Sequence, residues 1–142
     1  MKTLNTAATG IFLYLIDCLG ITFFICLQSP AGEPLFIEGF GVLKSGFGTG
    51  YVYSLKQTKI VGDEIFREPE MFFIFFPDKP ENIYRGVCPY SYQMDSLGIS
   101  EKSMVIKPDA NLVLNLKMQK SHVELANEWL EIIKEQGYLK FI

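Results

Sequence analysis

One window constrains this chain more than any other. Residues 11–27 form a run of seventeen in which Asp17 is the only charged side chain. A membrane-spanning helix needs about 20 apolar residues. This run is shorter and holds Asp17 and Gly20 inside it. A secretory signal needs a basic start and a small-residue cleavage site. Lys2 is the only early base, and no such site follows the run. The favoured reading is a core helix that passes straight into a core strand. Leu4, Ala7, Ala8, Ile11, Leu15, Cys18 and Leu19 recur at helical spacing. Thr3 or Asn5 can cap the start with a side-chain oxygen, and Gly20 offers a left-handed stop. The expectation is a helix over 4–19, a β-branched and aromatic strand over 21–27, and no membrane association.

The rest of the chain reads as strands between turns, until a last helix. Residues 29–32 form a turn, and 35–39 a second strand. Five glycines between 39 and 50 mark the most loop-like stretch. Residues 51–59 read as a strand, Val61-Gly62-Asp63-Glu64 as a turn, and 71–76 as a strand buried on both faces. After the turn at 77–80, residues 83–88 read as a strand. Pro89 cannot donate to a ladder, so an edge position or a bulge is expected there. Residues 90–94, 103–107 and 112–116 are weaker strands, with a turn at 108–110. Ser121-His122-Val123-Glu124 has the form of a capping box. It predicts a helix over 122–136, stopped at Gly137 and followed by an apolar tail over 138–142. Helix, many strands, helix is an α+β pattern. The expected architecture is a largely antiparallel sheet of about 5–7 strands, with an N-terminal and a C-terminal helix packed on it. Residues 1–142 are expected to form a single domain.

Composition removes several functions. Apolar residues are 49% and charged residues 20%, which excludes disorder. Thirteen basic against sixteen acidic residues give −3, which argues against a general phosphate-binding surface. Three cysteines without paired spacing are no disulfide framework, and with one histidine they do not make a zinc site. Reduced thiols in a cytoplasmic protein are expected, with no metal and no cofactor.

Three blocks taken in order carry a resemblance. The first is Pro34-Leu35-Phe36-Ile37-Glu38. The second is Gly62-Asp63 followed by Arg67-Glu68-Pro69-Glu70-Met71 and Phe73. The third is Leu116-Lys117-Met118-Gln119-Lys120, leading to Leu125-Ala126-Asn127-Glu128-Trp129-Leu130 and Glu135-Gln136-Gly137-Tyr138. Pro89-Tyr90-Ser91-Tyr92-Gln93 and Leu97-Gly98-Ile99 lie between the last two. The chain resembles an uncharacterised family of small bacterial proteins, often found on plasmids and integrated mobile elements. The resemblance implies a cytosolic single-domain protein, an accessory of a mobile element. It brings no site residues with it.

Four groups of residues could carry chemistry. Asp63, Glu64, Glu68 and Glu70 could do acid–base work or bind a hard cation. In an extended strand Glu68 and Glu70 share one face, and Arg67 points the other way. The competing reading is a charged strand entrance. Gly46-Phe47-Gly48-Thr49-Gly50 is followed by a strand rather than a helix, so it reads as a hairpin tip and not a phosphate loop. His122, expected to be exposed one residue past its cap, could pair only with Cys88. Tyr51, Tyr53, Tyr84, Tyr90 and Tyr92 alternate in strand-like runs and could form a binding face. Lysines 117, 120, 134 and 140 form the best basic patch, but glutamates interleave with them.

The leading expectation is a non-enzymatic binding module acting through a protein partner or self-association. Tyr53, Tyr90, Tyr92 and Arg67 are its candidate binding residues. The alternative is a metal-dependent hydrolase using Asp63, Glu68 and Glu70. A nucleic-acid-associated accessory protein comes last.

Overall fold

The computed structural model describes residues 1–109 and 111–139. Helix α1 is Thr6–Asp17, and Asn5 caps it by accepting from the Ala8 N–H at 2.8 Å. Gly20 takes a positive φ just beyond it, and the chain turns before strand β1, Phe24–Ser29. The expected run of helix straight into strand is therefore split by a turn over residues 18–22. Among the described residues, no helix is long and apolar enough to cross a membrane.

Five further strands follow: β2 Gly32–Ser45, β3 Gly48–Val61, β4 Glu64–Phe76, β5 Gly86–Met94 and, after a single 3₁₀ turn at Asp95–Leu97, β6 Ile99–Lys102. They form a six-stranded antiparallel meander in sequence order. A small hairpin, β7 Met104–Ile106 with β8 Leu112–Leu114, follows. Helix α2, Leu116–Glu135, comes last. The α+β architecture with a helix from each end of the chain is as expected.

Several elements differ from their expected bounds: β4 begins at Glu64 rather than at 71, the expected strands 83–88 and 90–94 are the single strand β5, and β6 lies where no strand is expected. Strands β2 and β3 run through the glycine-rich stretch, and only Gly46 and Phe47 lie between them. The glycines fit close packing there. A Cβ on Gly50 would stand 2.5 Å from the Ile74 Cγ2, so β3 can pass this point only without a side chain. Helix α2 starts six residues earlier than the expected 122, because Asn115 caps it by accepting from the Met118 N–H at 3.1 Å. The Ser121–Glu124 pattern lies inside the helix, where the Ser121 hydroxyl donates to the Lys117 carbonyl. The tail lies outside the described residues beyond Leu139; Tyr138 and Leu139 are buried. Ala110 of the 108–110 turn also lies outside them.

Both helices pack on one face of the sheet. Phe12 and Leu15 of α1, and Ala126, Trp129, Leu130 and Ile133 of α2, meet Leu35, Ile37, Leu55, Met71 and Phe73. The far face is covered only in part. Ile74, Phe76 and Cys88 form a second core there with Met104 of the β7–β8 hairpin. Strand β4 thus buries both faces, as its apolar run predicts.

Four register shifts interrupt the meander, one between Leu27 and Ser29 beside the β1–β2 turn and three bulges farther along. Phe40 is the extra residue on β2, Glu68 and Pro69 together oppose Gln57 on β4, and Tyr90 is the extra residue on β5. The bulge expected at Pro89 therefore falls on its neighbour. A bulge shifts the alternation of a strand and re-aims the side chains near it.

Candidate functional site

The uncovered part of the far face is aromatic. Pairing places Phe24, Glu38, Ser54, Phe72, Ser91 and Lys102 in one row across six strands. Cys26, Phe36, Lys56, Glu70 and Gln93 form the next row. Phe24 stacks on Phe36 with ring centres 5.8 Å apart, and Phe40 meets Phe72 at 5.4 Å. Phe72 meets Tyr90 at 6.1 Å. The Lys56 ammonium sits 5.3 Å from the centre of the Phe36 ring, a cation–π distance. Phe40 and Tyr90 reach this face because each is the extra residue of a bulge. Phe24 is 52% exposed and Phe40 50%, so this end of the stripe is open to solvent.

At its other end the stripe runs under the β7–β8 hairpin. A cleft of about 360 Å³ opens there between the sheet and the hairpin. Phe72, Tyr90, Ser91, Gln93 and Lys102 line it from the sheet, with Met104, Val105 and Ile106 of the hairpin opposite. The Ser103 N–H donates to the Tyr90 carbonyl at 2.8 Å, which ties the bulge to the start of the hairpin.

The tyrosines expected to share a face do not. Tyr90 is on the open side, while Tyr53 and Tyr92 are on the helix side. The bulge between Pro89 and Ser91 separates Tyr90 from Tyr92. Tyr53 meets Phe12 edge-on at 6.0 Å and lines a second cleft of about 290 Å³ beside the end of α1. Tyr92 is buried under α2.

Arg67 is committed within the chain. Its Nε and Nη2 donate to the two carboxylate oxygens of Asp95 at 3.0 and 2.9 Å, and its Nη1 donates to Gln93 Oε1 at 2.8 Å. These bonds hold the Asp95 carboxyl below its usual range and clamp β4 to the 3₁₀ turn. The expected alternation around Arg67 also fails. Arg67 and Glu70 lie 3.9 Å apart, because the bulge at Glu68 and Pro69 shifts the phase between them. Glu68 turns away to accept from the Ser96 N–H and hydroxyl, and Asp63 sits in the exposed β3–β4 turn. The three carboxylates are not brought together. Among the described residues, no group of three or more His, Cys, Asp or Glu side chains could hold a metal ion. Glu70 alone faces the open side, and burial raises its carboxyl pKa against the opposing pull of Lys56 and Arg67.

His122 is not exposed. It is 0% exposed, with Nδ1 2.8 Å from the Ser103 hydroxyl and Nε2 3.2 Å from Glu101 Oε1. Both contacts are satisfied when Ser103 donates to Nδ1 and Nε2–H donates to Glu101. Serine, histidine and carboxylate in line invite a nucleophilic reading, yet Ser103 is 1% exposed and only Glu101 meets solvent. A substrate has no approach to the hydroxyl, so the chain of three joins α2 to the sheet. Burial pushes the His122 pKa below its ordinary value, against the pull of Glu101. Cys88 lies on the opposite side of the sheet, its thiol raised to about 12 by burial, and forms no pair with His122. Lys117, Lys120 and Lys134 are exposed on α2, with Glu124, Glu128 and Glu135 near them; Lys140 lies outside the described residues.

No curated protein and no solved structure matches the chain. A family model for a domain of unknown function, DUF6908, matches residues 14–139, the whole meander, the hairpin and α2 with only the last turn of α1, and the chain belongs to that family.

Proposed function

We propose that the protein is a non-enzymatic binding module of the cytoplasm that docks a protein partner, or a second copy of itself, on the open aromatic face of its sheet. The observation that carries this reading is the stripe from Phe24 through Phe36, Phe40 and Phe72, half exposed at its outer end. Contiguous apolar surface of this kind costs solubility and recurs at interfaces. Aromatic side chains are also the commonest anchors of binding energy. Strand β1 is an edge strand, so a partner strand has free backbone groups beside the stripe. Cys18, Cys26 and Cys88 are all free thiols, which supports a reducing compartment. An accessory role on a bacterial mobile element belongs to the same proposal and is supported by the order of the sequence blocks. The dispersed carboxylates give the hydrolase reading no assembled site.

The test compares the wild-type protein with the double variant F24S/F40S. Both positions are half exposed, so the variant is expected to keep its melting temperature. Sedimentation velocity and affinity capture from nuclease-treated host lysate are measured for each. A dimer or stoichiometric protein partner present with the wild type and lost with F24S/F40S is the expected result. The same species with both proteins would contradict the reading.

A further inference from the structure

The cleft under the β7–β8 hairpin has a chemistry of its own. Its walls are apolar and aromatic: Phe72 and Tyr90 on the sheet side, Met104 and Ile106 on the hairpin side. Its polar groups are donors. Ser91 Oγ accepts from the Phe72 N–H at 3.2 Å, which leaves its own hydrogen to give. Gln93 Oε1 accepts from Arg67 at 2.8 Å, which fixes the side chain and leaves its NH₂ free. Among the described residues, Lys102 has no ion-pair partner, and the Tyr90 hydroxyl has no hydrogen-bond partner. No carboxylate lines the cleft. Glu70, paired across from Gln93 on the same face, is held near Arg67, and Glu101 turns to His122 on the other face. Burial pushes the Tyr90 hydroxyl up to about 12, so it stays a donor throughout the neutral range.

We propose that this cleft binds a small planar aromatic carboxylate, its ring against Phe72 and Tyr90 and its anion on Lys102 and the neighbouring donors. A volume of about 360 Å³ suits a molecule of one or two fused rings. The ring supplies the apolar contact area. The carboxylate supplies the acceptor that four donors lack. A cation would meet Lys102, and a neutral amide would leave its charge unanswered. The cleft shares Phe72 with the docking stripe but not Phe24 at the stripe's outer end, so a change at Phe24 separates the two.

Titration of the ¹⁵N-labelled protein with indole-3-carboxylate, indole-3-carboxamide and tryptamine tests it. The carboxylate is expected to give saturable shifts centred on residues 90–93 and 102–106. The carboxamide is expected to bind at least about tenfold more weakly, a difference near 1.4 kcal/mol. Lys102 is exposed, so K102Q keeps the fold, and it is expected to lose at least about tenfold in carboxylate affinity. F24S is expected to bind the carboxylate as the wild type does, because Phe24 stacks on Phe36 and not on a ring of the cleft. Absence of saturable shifts at millimolar carboxylate would overturn the proposal. So would shifts centred elsewhere, or equal binding of acid, amide and amine that K102Q leaves unchanged.

Discussion

Gln57, Gln119 and His122 are polar side chains that the fold buries completely or nearly so. A hydrophobicity pattern gives no sign of this, since each reads as a surface residue. Gln119 joins the N-terminal segment to β5, donating to the Lys2 and Pro89 carbonyls at 2.7 and 3.1 Å. Those bonds help hold residues 116–121 as the first turns of α2, ahead of the start at 122 that the capping pattern suggests. His122 carries a pH prediction. Its folded pKa lies below its unfolded value, so the unfolded chain binds the proton more readily. Its contribution is complete above the ordinary histidine value of about 6.5 and falls as pH drops through it, by no more than about 1.4 kcal/mol per pH unit. Urea unfolding at pH 7.5 and 5.5 is expected to show a larger acid loss for wild type than for H122Q. Equal losses would remove His122 from the account. Gly50 makes the second residue-scale prediction. G50A places a methyl group against Ile74 and Phe76 and is expected to lower stability by about 1–3 kcal/mol. An unchanged denaturant midpoint would show that β3 has room there.

Among the elements, sequence pattern was a good guide where hydrophobic period and turn chemistry agree. Gly62 and Asp63 sit between the paired Val61 and Glu64, as their turn chemistry predicts. The apolar run of β4 is buried on both faces. Bulges are where the pattern misleads. Each shifts a strand's phase by one, and a period-two reading carries the old phase onward. This is why Tyr90 and Tyr92 part, why Arg67 approaches Glu70, and why Phe40 joins the stripe. Tyr90 was legible as a candidate; Phe24, Phe36, Phe40 and Phe72 were not, because their common face exists only once the strands are in register. The elements are joined by Gln57, which accepts from Trp129 Nε1 of α2 at 2.8 Å and donates to Gln136 Oε1 at 2.8 Å. Q57L strips the indole of its acceptor in a buried site. It is expected to cost about 1–3 kcal/mol in chemical denaturation. A neutral result would mean that α2 docks by apolar contact alone.

For the whole molecule, the division of the sheet is the central fact. Two helices cover one face, and a three-residue-stranded hairpin covers a corner of the other. What remains is an aromatic surface with Glu38, Lys56 and Glu70 set among the rings, Lys56 over Phe36. The family match covers the sheet, the hairpin and α2, with only the last turn of α1, and carries no activity with it. The account therefore rests on what the open face does in a cell. The most direct measurement replaces Phe40 with a photo-crosslinking phenylalanine in the host, beside the same replacement at Glu128 on the outer side of α2. The account predicts a protein adduct at position 40 and none at 128. Adducts at 128 alone, or none at 40, would contradict it.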